Sequence, residues 1–268
     1  MKFALITDVH YGVDRFFRGA HRGLASFGDE TLNEFVKTMN NDIHPQFVIQ
    51  LGDVIQEIDH DTDIKNLKKV LNILSSLNYP YYSVIGNHEN IFISEEELVK
   101  LIRTQALYYS FDIKEYHCLV LYCKSTKELY IDEVQKSWLI EELKNTNKKI
   151  LIFAHYSLAD QDLTGNYYFE GRPEMCLIDN RKEIREMLEK SEKVVAVFNG
   201  HLHWNNMTIH NNIPYFTFEP PLENKNNNGV PSKSYAVIEI NKKYITVDIL
   251  GSDPQVYNYK HKKTPSFR

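Results

Sequence analysis

The chain has 268 residues, of which 43% are hydrophobic and 25% are charged, the ordinary proportions of a globular protein with a well-packed core. Its formal net charge of −5 argues against a general positive field, and therefore against nucleic acid or an anionic membrane as the partner. Its apolar runs are far shorter than the roughly 20 residues of a membrane span, so we expect no membrane partner.

Strands and helices alternate along most of the chain. The spacing of apolar residues and the capping-box pattern of Ser94 and Glu97 predict the following elements. In chain order they are a strand at 2–7, a helix at 29–39, a strand at 47–51, a helix at 63–77, a strand at 81–85, a helix at 94–104, strands at 108–111 and 119–122, a helix at 133–144, a strand at 149–153, a helix at 180–190 and a strand at 194–198.

The remainder predicts short strands between 207 and 250, with turns at Asn211-Asn212 and Asn241-Lys242. Residues 223–234 are rich in Asn, Gly and Pro, which indicates a loop. This order of elements predicts an α/β fold with a mixed sheet. Since no linker divides the chain, we expect one domain over residues 1–252, followed by a mobile tail at 253–268.

The three cysteines, Cys118, Cys123 and Cys176, form no C-x-x-C pair and are odd in number. Buried thiols are the ordinary interpretation of such residues. No disulfide framework is indicated, so we expect a reducing compartment, the cytoplasm.

Five short polar clusters each follow a predicted strand. Ligands of open α/β sheets bind at the carboxyl ends of strands, so we expect these clusters to meet at one edge. A single Asp or His there is usually a turn, a cap or a packed side chain. Together, Asp, Asn and neutral His suit a pair of divalent transition metals. The cluster residues are Asp8 and His10, Asp53, Asn87 and His88, His155, and His201 and His203.

Local spacing suggests how the backbone presents these side chains. Asp8 and His10 are two residues apart, so an extended backbone would point both to the same side, and His201 and His203 repeat the spacing. Glycines at 52, 86 and 200 precede three of the clusters. Glycine permits the tight turn or positive φ that lets the chain close on an ion.

The clusters resemble the pattern of the calcineurin-like metallophosphoesterase superfamily: D-x-H, G-D, G-N-H-[DE], a lone H, and G-H-x-H. All five motifs occur in order, from Asp8-Val9-His10 to Gly200-His201-Leu202-His203. The resemblance implies a four-layer α/β/β/α sandwich with mixed sheets. It also implies that the protein is a hydrolase of phosphoesters that uses two metal ions.

The resemblance further implies a role for each residue. Asp8, His10 and His203 would bind one metal, while Asn87, His155 and His201 would bind the second. Asp53 would bridge both, and the ions would generate a hydroxide nucleophile. His88 would not bind metal but would donate a proton or stabilise charge at the leaving group. Nitrogen-rich ligation favours Mn²⁺, Fe or Zn²⁺ over Mg²⁺ or Ca²⁺.

Departures from the patterns of individual subfamilies narrow the range of possible substrates. The G-D-x-V-D-R-G segment of protein serine/threonine phosphatases is replaced by Gly52-Asp53-Val54-Ile55-Gln56-Glu57, and Ile85 stands where they have Arg. The compact size and the start Asp8-Val9-His10 instead resemble class III cyclic-nucleotide phosphodiesterases. The segments 48–53, 86–89 and 108–111 resemble manganese-dependent ADP-ribose/CDP-alcohol diphosphatases, although the latter have Gln in place of His10. This implies cleavage of phosphodiester or diphosphate bonds in a small, nucleotide-like phosphoester.

Two segments are candidates for substrate recognition. Residues 156–175 contain Tyr156, Tyr168 and Arg172, which could stack on a nucleobase and pair with phosphate, or simply pack the loop. Residues 11–23 contain Arg15, Arg18 and Arg22, which could approach phosphate or remain solvated.

Other functions stay open on these residues alone. A phosphomonoesterase or a nuclease of the same superfamily would share the motifs, and a non-catalytic scaffold would share the fold. The sequence does not fix the oligomeric state.

Overall fold

The computed structural model describes residues 1–125 and 128–261. Its strands, in chain order, are β1 (Lys2–Ile6), β2 (Arg15–Phe17), β3 (Ala20–Gly23), β4 (Val48–Gln50), β5 (Tyr81–Ser83), β6 (Tyr109–Ile113), β7 (Tyr116–Leu121), β8 (Lys124–Ser125), β9 (Leu129–Tyr130), β10 (Lys149–Ala154), β11 (Val194–Asn199), β12 (Asn206–His210), β13 (Ile213–Thr217), β14 (Tyr235–Ile240), β15 (Tyr244–Leu250) and β16 (Gln255–Lys260). Its α-helices are α1 (Gly28–Thr38), α2 (His60–Leu74), α3 (Glu95–Ile102), α4 (Glu133–Asn145) and α5 (Arg181–Lys190). Short helical turns occupy Ala25–Phe27, Met39–Ile43 and Pro173–Met175.

Two six-stranded mixed sheets organise the described chain. The first has the order β16-β15-β14-β1-β4-β5, and the second has the order β12-β13-β11-β10-β7-β6. In the first sheet β1, β4 and β5 are parallel, whereas β14 runs antiparallel to β1. In the second sheet β7, β10, β11 and β13 are parallel. The strands that precede the polar clusters therefore point their carboxyl ends to a common edge.

The main core lies between the two sheets and is rich in phenylalanine. Phe3 stacks on Phe47 with ring centroids 4.7 Å apart, and Phe153 stacks on Phe198 at 5.4 Å. All four rings are fully buried, so each contributes up to about 3 kcal/mol of hydrophobic stabilisation.

Helices cover the outer face of each sheet. On the first sheet Leu32 and Phe35 of α1 and Leu67 of α2 pack in one cluster with Ala4 and Ile6 of β1. On the second sheet Leu139 of α4 and Ile184 of α5 pack with Ile150 and Ile152 of β10. The layers are helix, sheet, sheet and helix, so the predicted four-layer fold is confirmed.

The predicted helices and strands up to residue 198 are all present, and no end moves by more than three residues. Ser94 caps α3 and forms the expected capping box with Glu97. The turn at Asn211-Asn212 has positive φ at both residues, which is the geometry of a tight hairpin. Residues 223–234 contain no helix or strand beyond an isolated bridge between Gly23 and Glu223.

Two regions differ from the sequence-based expectation. The hairpin β2–β3 was not predicted, because its strands have only three and four residues and carry three arginine or histidine side chains. Within 253–268, the range expected to be a mobile tail, β16 forms an edge strand. Its alternation turns Tyr257 and Tyr259 toward the core and Val256 and Asn258 outward. Residues 262–268 of that range lie outside the described residues.

No helix in the described part of the chain is both long and apolar enough to cross a bilayer.

Candidate metal centre

The five polar clusters meet at the common edge of the sheets. Histidine and aspartate side chains there fall into three overlapping groups, each with its ligand atoms within 4.8 Å of one another. The groups are Asp8, His10 and His203; His10, Asp53 and His88; and Asp53, His155 and His201. The first is the first ligand set that the family resemblance implies, and the third joins two members of the second set, His155 and His201, with the bridging residue Asp53.

The first set brings two carboxyl-end loops together from different sheets. Nε2 of His10 lies 3.2 Å from Nε2 of His203. That same nitrogen of His203 lies 3.4 Å from Oδ1 of Asp8. Asp8 is itself held in place, because it accepts a hydrogen bond of 3.1 Å at Oδ1 from the backbone N–H of His201.

The second set centres on His155, which is almost completely buried. Its Nε2 lies 3.1 Å from Nδ1 of His201 and 3.2 Å from Oδ1 of Asn87. Its Nδ1 lies 2.8 Å from the carbonyl oxygen of Leu51, which can accept the ring proton. The far nitrogen of His201, Nε2, is likewise 3.1 Å from the carbonyl oxygen of Met175.

Asp53 lies between the two sets. Its Oδ2 is 3.2 Å from Nε2 of His155 and 3.9 Å from Nε2 of His10. Oδ2 also lies 3.7 Å from Nε2 of His88, whose backbone N–H donates to Oδ1 at 2.9 Å. One carboxylate oxygen thus faces histidines of both sets, which is the arrangement that a shared ligand requires.

These donors fit a pair of metal ions. Two nitrogens that bind the same ion at about 2.0–2.1 Å are about 2.8–3.4 Å apart when the angle at the metal is about 90–110°. The pairs His10–His203 and His155–His201 have separations of 3.2 and 3.1 Å. For His155 and His201 the remaining ring nitrogen faces a backbone carbonyl, the outer contact typical of metal-binding histidines.

The charges of the centre also favour cations. Burial raises the pKa of Asp53, but the neighbouring His155 and His88 outweigh it and hold that pKa well below its usual range. Burial lowers the pKa of His155 and of His203, but Asp53 and Asp8 respectively raise each to about 9. Without metal, protons on these two rings therefore balance the buried carboxylates, and metal binding would displace them.

The backbone of the centre is left-handed rather than extended. Asp8, His10, Asp53, His201 and His203 all have φ between 49° and 65°. The expectation that an extended chain orients each pair is therefore wrong. Such a conformation costs a non-glycine residue about 1–2 kcal/mol, and clusters of it are typical of functional sites.

Glycines allow the loops to approach closely. Gly52 has a φ of 96°, which favours glycine, as the sequence indicates. Gly86 and Gly200 have no positive φ, but a Cβ at either position would collide with the carboxylate of Asp53 or of Asp8. Close approach, rather than turn geometry, requires glycine at these two positions.

Glu89 organises the loop that carries Asp53, a role that the sequence analysis missed. Its carboxylate is fully buried and accepts hydrogen bonds from the backbone N–H groups of Gly86 at 2.8 Å and Asp53 at 3.1 Å. It accepts two more from Val54 and Ile55. Burial and the charge of Asp53 raise the pKa of Glu89 to about 7. Its place in the G-N-H-E motif was the available signal.

Glu57 is a second missed residue. Its Oε2 forms a short hydrogen bond with Nδ1 of His88. Burial lowers the pKa of His88, but Asp53 and Glu57 outweigh it and raise that pKa. The His88 ring is thus held with Nε2 directed toward Asp53. The only sequence signal was a carboxylate four residues after Asp53.

A cleft of about 540 Å³, part of it open to solvent, leads to these residues. Its wall includes Arg15, Phe16, Phe17, Arg22 and Tyr168, while its floor includes Asp53 and His88. Within the described residues the guanidinium of Arg15 has no hydrogen bond or ion pair.

The three candidate substrate residues have different surroundings. Tyr168 lines the cleft, and its ring lies 4.8 Å from that of His203. Tyr156 is buried behind the centre, 4.2 Å from the His201 ring, and donates to Ser125. Arg172 is exposed, is not part of the cleft wall, and contacts the sulfur of Met175 at 3.7 Å.

Comparison with known proteins identifies relatives of this chain. Residues 1–205 match the family described as calcineurin-like phosphoesterase. A probable cyclic nucleotide phosphodiesterase of Xenorhabdus bovienii is 26% identical over 223 residues, which cover 80% of this chain and 83% of that protein. A manganese-dependent ADP-ribose/CDP-alcohol diphosphatase of Arabidopsis thaliana is 29% identical over 135 residues, which cover 44% of this chain and 41% of that protein.

Solved structures share the fold at low identity. A dimetal phosphatase from Danio rerio superposes with a TM-score of 0.76 at 18% identity, covering 97% of this chain and 99% of that one. GAP50 of Plasmodium, described as the anchor in the inner membrane complex, superposes with a TM-score of 0.59 at 13% identity, covering 99% and 90%.

Proposed function

The chain belongs to the calcineurin-like phosphoesterase family and is a hydrolase, and from that premise we propose a dinuclear phosphohydrolase that cleaves phosphodiester or diphosphate bonds of small nucleotide-type substrates. One observation carries the proposal. The carboxylate of Asp53 lies between two sets of histidines whose nitrogens are spaced for two ions.

The proposed ligands follow the two sets. Asp8, His10 and His203 hold the first ion, and Asn87, His155 and His201 hold the second. Asp53 bridges the two. Imidazole nitrogen dominates this donor set, so Mn²⁺, Fe or Zn²⁺ suits it better than Mg²⁺ or Ca²⁺. When bound, two such ions polarise the phosphoryl oxygens and lower the pKa of a coordinated water.

His88 is the proposed catalytic residue. Its side chain is 17% exposed and lines the cleft, so a substrate bound there can contact the ring. Glu57 accepts the proton on Nδ1, and the charges of Asp53 and Glu57 raise the pKa of His88, which favours a second proton on Nε2. That proton can pass to the leaving-group oxygen as the phosphorus–oxygen bond breaks.

The cleft wall supports a nucleotide-type substrate. Arg15 offers an uncommitted cation for a phosphate beside the floor. Phe16 is 71% exposed at the same wall. The ring centroids of Phe17 and Tyr168, two other residues of this wall, are 4.8 Å apart. Flat aromatic faces of this kind can stack on a nucleobase. The two curated relatives are named for nucleotide-type substrates, which favours the same class here.

A substrate panel with added Mn²⁺ tests the proposal. It compares cyclic nucleotides, nucleoside diphosphate compounds and a synthetic phosphodiester with a synthetic phosphomonoester. We expect kcat/KM for the best diester or diphosphate to exceed that for the monoester at least about tenfold. The Asp53→Asn variant, purified in the same way, controls for contaminating phosphatases. Preference for the monoester would indicate a phosphomonoesterase, and no turnover at all would favour a scaffold.

We also propose a cytoplasmic location. Cys118, Cys123 and Cys176 are free and buried, and burial raises the pKa of all three thiols, that of Cys176 to about 12. Neutral, buried thiols of this kind suit a reducing compartment. Imaging of a fluorescent fusion tests this, and an extracytoplasmic signal would contradict it.

A further inference from the structure

Glu223 joins three parts of the cleft that are distant in sequence. It lies in the segment after β13, beyond the region that matches the family, and is only 7% exposed. One carboxylate oxygen, Oε1, accepts a short hydrogen bond from Arg22 of β3. It also accepts one of 3.1 Å from the hydroxyl of Tyr168 in the loop after β10.

The other oxygen of Glu223 faces the metal centre. Oε2 lies 3.5 Å from Nδ1 of His203, within ion-pair distance. The opposite nitrogen of that ring, Nε2, faces Oδ1 of Asp8 at 3.4 Å and Nε2 of His10 at 3.2 Å. The ring of His203 therefore stands between a buried carboxylate and the proposed first metal site.

We propose that Glu223 is a positioning residue for the first metal ion: it accepts the Nδ1 proton of His203, so that Nε2 stays free to bind the metal. The inference rests on the proposed function, because it assumes that His203 is a ligand. A carboxylate on the far nitrogen of a metal-binding histidine fixes the tautomer, orients the ring and increases its basicity.

Arg22 holds Glu223 in this orientation. Its Nη1 donates to the backbone carbonyls of Asn224 at 3.0 Å and Lys225 at 3.1 Å, while its Nη2 donates to Oε1 of Glu223. The guanidinium also lies 4.5 Å from the ring centroid of Tyr167. Since these contacts use three of its donor hydrogens, Arg22 acts as a clamp that leaves Oε2 for His203.

Replacement of Glu223 by Gln tests the role with little change in shape. Arg22 can only donate, so the amide oxygen of Gln would face Arg22 and the NH₂ group would face His203. An NH₂ group opposite Nδ1 favours the tautomer with its proton on Nε2, the nitrogen that the metal needs. We therefore expect Glu223→Gln to weaken one of the two metal sites.

The measurement is calorimetric titration of metal-free protein with Mn²⁺ alone. Wild-type protein should bind two ions, and Glu223→Gln should bind one of them about 10- to 100-fold more weakly. Glu219→Gln is the matched control: Glu219 is also buried in the same segment, but it pairs with Lys225 and touches no proposed ligand. It should bind both ions as the wild type does.

The outcomes separate this inference from the proposed function. Two tight ions in both wild type and Glu223→Gln would overturn the role of Glu223 and leave the metal centre intact. A wild type that binds no Mn²⁺ would overturn the proposed function and this inference with it. Melting temperatures in chelator compare the fold of Glu223→Gln with that of Glu219→Gln.

A measurement on the wild type covers the case in which the variant does not fold. In protein loaded with Cd²⁺, ¹⁵N NMR should show the His203 ring with its proton on Nδ1 and metal on Nε2. A proton on Nε2 would overturn the inference.

Discussion

The floor and the wall of the cleft are built differently. The floor lies over the eight residues of the polar clusters, and backbone groups fix several of their side chains. For example, the N–H of His88 donates to Asp53, and Nδ1 of His155 lies against the carbonyl of Leu51. The wall includes Arg15, Phe16, Phe17, Arg22 and Tyr168, which lie in a hairpin and a loop that contact each other. For example, the hydroxyl of Tyr167 donates to the carbonyl of Phe17 at 3.2 Å.

This difference separates the residues proposed to carry out the reaction from those proposed to recognise the substrate. Floor residues follow strands whose positions are set by two sheets and a phenylalanine core, and all of them lie within residues 1–205, which match the family. Wall residues lie in a short hairpin and a long loop, which can change without disturbing the sheets. We therefore expect floor substitutions to reduce metal binding or kcat, and wall substitutions to change KM.

The largest effect is expected at the bridging position. Asp53→Asn removes the charge that faces both histidine sets, and loss of one partner from a buried charged arrangement costs about 3–5 kcal/mol. We expect activity to fall by about 10²- to 10⁴-fold and both ions to bind more weakly. Metal analysis checks this. Asp63→Asn, a buried aspartate of α2 outside the cleft, should retain both ions. Two equivalents at normal affinity in Asp53→Asn would disprove the bridge.

Replacement of the proposed proton donor should separate chemistry from metal binding. His88→Ala should lower kcat by about 10²-fold or more, with metal content unchanged. His117→Ala serves as the control, since His117 also contacts two carboxylates, Asp112 and Glu142, but lies outside the cleft. Wild-type turnover in His88→Ala would show that this ring takes no part in proton transfer.

A smaller loss is expected when the partner of His88 is changed. Glu57→Gln keeps the shape of the side chain but removes the charge that accepts the Nδ1 proton. We expect kcat to fall about tenfold, because an ion-pair hydrogen bond of this kind contributes about 1.5 kcal/mol. Stopped assays across a range of pH measure kcat, with Glu142→Gln as the control. An unchanged pH profile and kcat would mean that Glu57 does not orient His88.

The smallest effect is expected at the wall. Arg15→Ala should raise KM by about five- to tenfold with little change in kcat, because it removes a cation that faces the cleft. Arg18→Ala is the control: this neighbour lies over the rings of Phe17 and Tyr167 and does not line the cleft. A fall in kcat with constant KM would place Arg15 in the chemical step instead.

The floor was largely predictable from the sequence. Five clusters after five apolar runs indicate one sheet edge, and the structure brings Asp8, Asp53, His155 and His203 together there. Their backbone conformation was not predictable, because a two-residue spacing is compatible with an extended or a left-handed chain. The left-handed conformation found here persists only because the surrounding tertiary structure holds it in place.

The wall was less predictable because its contacts cross long sequence separations. Glu223 and Arg22 are 201 residues apart, and nothing local marks either as a partner of the other. Tyr156 and Tyr168 lie in one aromatic loop, yet one packs behind His201 and the other lines the cleft. Aromatic composition indicates burial or stacking but not which of them a given ring adopts.

Anomalous diffraction from crystals soaked in Mn²⁺ tests the central claim most directly. Two peaks about 3.5–4 Å apart are expected, one among Asp8, His10 and His203 and the other among Asn87, His155 and His201. The carboxylate of Asp53 should lie between them. A single peak, or peaks that leave Asp53 without a metal contact, would contradict the dinuclear centre.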